Sequence, residues 1–202
     1  MTLNLSYNRI KRIENLHQLP QLKNIDLSHN IIGGSEPNPL DCIEELKNCT
    51  QLTSVDLSHN IIDCDTGLIE FFEQIQNILC LYLKGNPCVR KTSLYRKRLT
   101  IALKNLQYLD DRPVFEIERI AANAWSTGGA EAEKQARQEY QDQKNAKMRS
   151  YTARGRELTE EARTRRKEVM KKMLDDLKKD KEELIKRREE LKILYKSLPD
   201  SD

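Results

Sequence analysis

The sequence predicts an α/β solenoid of short repeats, closed by a helical cap and followed by a long charged helix. Three observations predict it. An apolar template ending in asparagine recurs four times before residue 90, and periodic self-similarity on this scale marks a repeat architecture. The template then gives way to amphipathic helical spacing around residues 95–106. From residue 116 on the chain carries 22 Lys/Arg and 19 Asp/Glu in 87 positions, too many charges for a packed core. The first 115 residues hold 13 of each sign and read as the globular part.

The four copies are Leu3-x-Leu5-x-x-Asn8, Leu22-x-x-Ile25-x-Leu27-x-x-Asn30, Leu52-x-x-Val55-x-Leu57-x-x-Asn60 and Ile78-x-x-Leu81-x-Leu83-x-x-Asn86. The asparagines lie 22, 30 and 26 residues apart. This is the leucine-rich-repeat pattern. Each alternating apolar pair sits on a short strand of period two, with its apolar face turned into a core shared by stacked repeats. The chain must then turn, and an inward asparagine can bond loop backbone that burial would leave unsatisfied. Asn8, Asn30, Asn60 and Asn86 are therefore expected to form a structural ladder.

The longer spacings place insertions at Gly33–Pro39 and around Asp63–Gly67. Each leaves room for a helix on the convex side, over Leu40–Leu46 and Leu68–Ile75. Gly33-Gly34 is a turn and not a phosphate loop, because no Gly-Lys-Ser/Thr follows it. The first template begins at Leu3 without a leading segment. Solenoid ends need polar capping, so this end is expected either to be covered by another chain or to belong to a longer solenoid.

After Asn86, Tyr95–Leu106 reads as an amphipathic helix with Leu99, Leu103 and Leu106 on one face. Leu109 falls on a strand position, and Pro113 ends any helix there. This is a C-terminal cap. The domains are accordingly placed at 1–89 (solenoid), 90–125 (cap and extension) and 126–202 (charged helix). From Ala130 to Tyr195 there is no proline and only Gly155 as glycine. Met170, Leu177, Leu184, Leu191 and Leu198 recur every seven residues. Lys181 and Arg188 interrupt the complementary series that holds Leu174 and Tyr195, so the coiled-coil seam is half spoiled. Glu182–Lys186, Glu183–Arg187 and Glu168–Lys172 are spaced to support the helix.

Several function classes are excluded or disfavoured. No segment approaches the ~18 consecutive apolar residues of a membrane helix, and the N-terminus has no signal-peptide pattern. Five cysteines without a CxxC pair favour free thiols in a reducing compartment over disulfides or zinc. A net charge of +3 with both signs interleaved argues against nucleic acid. His29 and His59 share one template position, which repetition explains better than catalysis. Asp110 and Asp111 are neighbours on extended chain and point opposite ways. No catalytic residue, metal ligand, cofactor or small-molecule substrate is assigned, so the chain is expected not to be an enzyme.

What remains is recognition of proteins. The residue between each apolar pair faces the concave side, and Asp26, Asp56, Tyr82 and Lys84 are the candidate contacts there, with Tyr82 as anchor. Arg90, Lys91, Arg96, Lys97 and Arg98 form a second, basic candidate beside the cap.

Gly85-Asn86-Pro87, Val89-Arg90-Lys91, Tyr95-Arg96 and Tyr108–Phe115 resemble the capped repeat proteins of the 22-residue type. The continuation through Arg119, Ala121-Ala122, Ala124-Trp125 and Gly128-Gly129 into Ala132-Glu133-Lys134 is similar to one branch, the leucine-rich-repeat axonemal dynein assembly factors. The similarity covers roughly residues 1–145, with fewer repeats and a shorter tail than that family carries. It implies a non-enzymatic scaffold that helps preassemble ciliary dynein arms in the cytoplasm. The implied partners are dynein subunits, chaperones or axonemal filament proteins, and the implied location is the cytoplasm and the cilium or flagellum. The alternative it leaves is a resident axonemal component or a light-chain-like dynein subunit.

Overall fold

Asparagines carry the register of the solenoid. In the computed structural model, which describes residues 1–34 and 37–196, strands β1 (Thr2–Asn4), β2 (Asn24–Asp26), β3 (Ser54–Asp56) and β4 (Cys80–Tyr82) pair in parallel, in sequence order. Leu3, Ile25, Val55 and Leu81 lie opposite one another across the ladder. Behind the strands the side chains of Asn30, Asn60 and Asn86 are buried. The Nδ2 of Asn60 donates to the carbonyls of Leu27 at 3.0 Å, Leu57 at 2.9 Å and Ser58 at 3.2 Å, while its Oδ1 accepts from the Ile32 N–H at 3.1 Å. Asn30 and Asn86 repeat this pattern on Ile10 and Ile62. The N–H that each Oδ1 accepts therefore comes from the residue two places after the previous ladder asparagine. Asn8, at the first copy, is exposed and its Nδ2 donates to the carbonyls of Leu5 and Ser6.

The convex side is helical, as its spacing predicts, but not uniformly α. Leu68–Glu73 is the α-helix α1, whereas Pro39–Asn48 winds as a 3-10 helix. Pro39 starts that segment and the Asn38 side chain accepts from the Leu40 N–H at 3.3 Å. Leu40, Cys42, Ile43 and Leu46 are buried along it. Phe71 and Phe72 are buried and meet edge to face with ring centroids 5.2 Å apart. The core is a single cluster running from Ile13 to Leu109. Cys42, Cys49, Cys64 and Cys88 are buried within it, and Cys80 is half-buried.

The cap follows as α2 (Pro87–Lys91), α3 (Tyr95–Ala102), β5 (Tyr108–Leu109) and β6 (Arg112–Pro113). β5 extends the parallel sheet and β6 turns back antiparallel. α3 stops at Ala102, short of the predicted Leu106. Arg119 accounts for the early stop: its guanidinium donates to the carbonyls of Thr100 at 2.9 Å, Leu103 at 3.1 Å and Leu106 at 2.6 Å. Thr100 lies in the last turn of α3, where carbonyls lack an intrahelical partner, and Leu103 and Leu106 follow the helix.

Helix α4 spans Glu116–Lys196 and is broken at Gly129, whose φ of 70° and ψ of −156° suit glycine alone. It thus begins inside the segment assigned to the cap. Glu118 accepts from the Phe115 N–H at 3.3 Å at its start, and Ala121 and Ala122 are buried. The chain forms two compact units, Met1–Gln141 and Asp142–Asp202. In the second unit every side chain described is exposed. Glu182–Lys186, Glu183–Arg187 and Glu168–Lys172 are not closed as ion pairs. Arg154–Glu157, Arg163–Glu160, Arg165–Glu161 and Lys178–Asp175 are, at 3.0–3.9 Å. Among exposed side chains such pairs open and close at little cost. Leu198 lies outside the described residues.

Candidate protein-binding surfaces

Two rows of side chains face the concave side. Thr2, Asn24, Ser54, Cys80 and Tyr108 form one, and Asn4, Asp26, Asp56 and Tyr82 the other. The second row holds the predicted contacts, and the structure gives its acidic members a local task as well. The Oδ1 of Asp26 accepts from the Ser28 N–H at 3.0 Å and from the Ser28 hydroxyl at 2.7 Å. The Oδ1 of Asp56 accepts from the Ser58 N–H at 2.8 Å, and Asn4 does the same with Ser6. These are Asx turns that lead the chain out of each strand. The recurring Asn/Asp-Leu-Ser triplet was the signal for them.

The fourth repeat breaks that triplet with Tyr82-Leu83-Lys84. Asp110 from the cap supplies the missing acceptor: its Oδ1 takes the N–H groups of Leu83 at 2.8 Å and Lys84 at 2.9 Å. Tyr82 is thereby freed from turn duty. It is half-buried, and its phenol is pushed up by desolvation first and then by Cys80 and the Asp56 carboxylate. Desolvation also raises the Cys80 thiol. Tyr108, exposed on the next strand, stands near enough to add to the field at Tyr82. Lys84 is exposed and pairs with Asp111. Tyr82, Tyr108, Cys80 and Lys84 thus form an amphipathic cluster at the cap end of the concave face.

The five basic residues beside the cap are not brought together as one surface. Arg96 reaches inward to Glu118 at 2.7 Å and to the Pro113 carbonyl at 2.7 Å, tying α3 to the β6–α4 junction. That contact holds the Glu118 carboxyl below its ordinary range. Lys97 pairs with Glu133 and lies 4.9 Å from the centre of the Trp125 ring. Arg98 pairs with Glu70 at 3.2 Å. Lys91 bridges Asp63 at 2.6 Å and Asp65 at 3.0 Å. Arg90 is exposed on the rim of a 590 Å³ hollow, which Lys84, Gly85, Pro87 and Asp110 also line. Among the described residues Arg90 closes no ion pair, while the other four are each engaged in one. The acids that engage them come from distant parts of the sequence, which is why spacing alone did not reveal the pairs.

One feature escaped the sequence reading. Tyr7, His29 and His59 each precede a ladder asparagine and each has φ near +55°. Their rings stack into an exposed column, with centroids 4.3 Å and 4.5 Å apart. Gly85 takes the fourth place, where a Cβ would fall 2.7 Å from the His59 Nδ1. Three ring-bearing residues at one repeat position were a sufficient signal. Among the described residues no group of three or more His, Cys, Asp or Glu could hold a metal ion.

Comparison with known proteins agrees with this architecture. A family model for leucine-rich repeats in two copies matches residues 2–48. The leucine-rich repeat-containing protein ODA7 of Chlamydomonas reinhardtii is 44% identical over 85 residues, 42% of this chain and 20% of that protein. Dynein axonemal assembly factor 1 of Homo sapiens is 40% identical over 84 residues, 42% of this chain and 12% of the relative. The Rattus norvegicus protein of that name is 38% identical over 136 residues, 67% of this chain and 17% of its own length. The chain therefore spans a fifth or less of these relatives. A chain in the crystal structure of the Drosophila melanogaster SNF/U2A' complex superposes with a TM-score of 0.50 at 28% identity, covering 66% of this chain and 74% of that one. By its template, its cap and these matches, the chain is a leucine-rich-repeat protein similar to the dynein axonemal assembly factors.

Proposed function

We propose that this chain is a non-enzymatic, protein-binding scaffold that serves the assembly of axonemal dynein arms. The observation that carries the reading is 38–44% identity to relatives named as dynein axonemal assembly factors or as ODA7. The geometry supports a binding role. A short parallel sheet presents a concave face, and at its cap end Tyr82 and Tyr108 offer half-buried and exposed aromatic area beside Lys84. Aromatic side chains of this kind anchor protein interfaces. In this reading Tyr82 and Lys84 make the principal contacts. Asp26 and Asp56 contribute the carboxylate oxygens their turns do not use, and Arg90 meets an acidic patch of the same partner. The partner is a dynein subunit or a chaperone acting on it, and the work takes place in the cytoplasm of ciliated or flagellated cells.

The test is capture of axonemal dynein chains from the cytosol of ciliated cells by the tagged protein, compared with a Tyr82→Ala/Tyr108→Ala variant. Both residues lie on the concave surface, so the variant should fold. Loss of dynein chains from the variant's captured set is the expected result. Undiminished capture would remove the concave face from the account, and absence of dynein chains from both would remove the dynein reading itself.

A further inference from the structure

We infer that residues 166–193 of α4 form a docking face for an acidic amphipathic helix of another protein, which pairs with them as a two-stranded coiled coil. The inference rests on charge placement along this helix and not on the dynein reading.

Met170, Leu177, Leu184 and Leu191 stand at every seventh position of a continuous helix and are 59–69% exposed. Taking them as the d positions of a heptad puts Lys167, Leu174, Lys181 and Arg188 at a. The flanking e and g positions hold Lys171, Lys178, Lys192, Arg166 and Arg187, with Asp180 as the only acid. Eight of the twelve a, e and g residues are therefore basic. The acids lie elsewhere: seven of the eight b and c positions from 168 to 190 carry Asp or Glu, while Lys172, Lys179 and Lys186 stand at f. The balanced composition of the helix conceals this segregation. One face is a leucine seam bordered by positive charge, and apart from Asp180 the acids are confined to the b and c positions.

That pattern selects the occupant. In a parallel pair of two copies, Lys181 and Arg188 would meet their own equivalents across the a layer. Arg166 would face Lys171, and Arg187 would face Lys192, in the g-to-e contacts. In an antiparallel pair e faces e and g faces g, and the charges still repel. Like charges at these positions set partner choice against self-pairing. A helix with Glu or Asp at its own e, g and facing a positions turns every one of these repulsions into attraction. A lipid surface fits less well. Interfacial helices bury a broad apolar face, and here Lys181 and Arg188 interrupt the row beside the leucines. Among the described residues of this stretch the one closed ion pair is Lys178–Asp175, at 3.8 Å and exposed. The basic border is thus available to a partner.

The experiment uses the full chain and two synthetic heptad peptides with Leu at d. One has Glu at e, at g and at the a positions facing Lys181 and Arg188. The other has Lys at the same places. Fluorescence anisotropy of the labelled peptides measures affinity at low and high salt. Sedimentation measures self-association, and co-flotation with phosphatidylserine vesicles measures lipid binding. The expected result is binding of the Glu peptide at least about tenfold tighter than of the Lys peptide, as several favourable pairs of a few tenths of a kcal/mol each would sum to, and weakening as salt rises. A Leu177→Gln/Leu184→Gln variant loses the Glu peptide. A Lys171→Glu/Lys178→Glu/Lys181→Glu/Arg188→Glu variant exchanges its preference to the Lys peptide, with helicity of each variant checked by circular dichroism. Equal affinity for both peptides, binding of neither, self-association that Leu177→Gln/Leu184→Gln abolishes, or vesicle binding alone would each overturn the proposal.

Discussion

Replacing Asn60 with alanine measures what the ladder contributes. The side chain makes four hydrogen bonds, but its partners do not depend on it equally. The Leu27 carbonyl also accepts from Asn30 at 3.0 Å, the Leu57 carbonyl from Asn86 at 2.8 Å, and the Ser58 carbonyl from the His29 N–H at 3.0 Å. Those three acceptors keep a partner when Asn60 is lost. The N–H of fully buried Ile32 does not, since the Oδ1 of Asn60 is its acceptor. An orphaned buried donor costs about 1–3 kcal/mol, and each well-formed bond lost adds about 1 kcal/mol net. The two amide hydrogens serve the three carbonyls, so two bonds at about 1 kcal/mol each and the orphaned Ile32 N–H together make Asn60→Ala destabilising by about 3–5 kcal/mol. Asn8→Ala, which orphans no N–H and removes two exposed bonds, should cost under about 1 kcal/mol. Urea titration followed by fluorescence of the single tryptophan, Trp125, reports both values in the folded unit that contains it. Equal shifts for the two variants would refute the ladder argument, because burial of the orphaned donor would then not matter.

Other consequences follow from particular contacts. Gly33→Ala should be more damaging than Gly85→Ala, with both costing more than about 1 kcal/mol. Each has positive φ, but the new Cβ meets the Ile62 backbone at 2.7 Å in the first and a movable His59 ring at 2.7 Å in the second; urea midpoints decide the order. Arg119→Lys should lose about 2–3 kcal/mol, since an ammonium cannot span the three carbonyls that the guanidinium fork serves; the same titration measures it. Hydrogen bonding from Arg96 is the main reason the Glu118 pKa lies below its ordinary value of 4.5. A depressed folded pKa means a contribution present above the unfolded value and lost as pH falls through the folded one. The fall in stability below about pH 4.5 should accordingly be shallower in Glu118→Gln than in the parent chain, as acid titration of Trp125 fluorescence would show. Among the described residues the buried Tyr95 hydroxyl has no well-formed hydrogen bond, though its pKa is raised by burial first and then by the nearby Asp110 carboxylate, so Tyr95→Phe should change stability by less than about 1 kcal/mol in thermal melts.

The repeat register was legible because its signal is periodic. Leu, Ile and Val on alternate positions and Asn at a fixed offset can satisfy burial and hydrogen bonding in one way only. The strands, the ladder and the cap at Leu109 follow from that constraint. Elements set by distant partners were not legible. The end of α3 depends on Arg119, and the turn after β4 depends on Asp110. The 3-10 winding of Pro39–Asn48 was not legible either, because its apolar spacing is equally compatible with an α-helix. The concave carboxylates show a subtler limit. Asp26 and Asp56 satisfy a pattern for surface recognition and a pattern for Asx turns together, and their Ser28 and Ser58 contacts reveal the second role. The basic cluster misled in the opposite direction, since adjacency in sequence implied a shared surface while Glu118, Glu133, Glu70, Asp63 and Asp65 divide it.

The most direct test of the account is fractionation of ciliated cells expressing the tagged protein, with detergent extraction of the axoneme and mass spectrometry of what co-purifies. The account predicts recovery in the soluble cytoplasm together with dynein heavy chains and chaperones. Retention in the detergent-resistant axoneme at a fixed ratio to a filament protein would contradict it and make the chain a resident subunit.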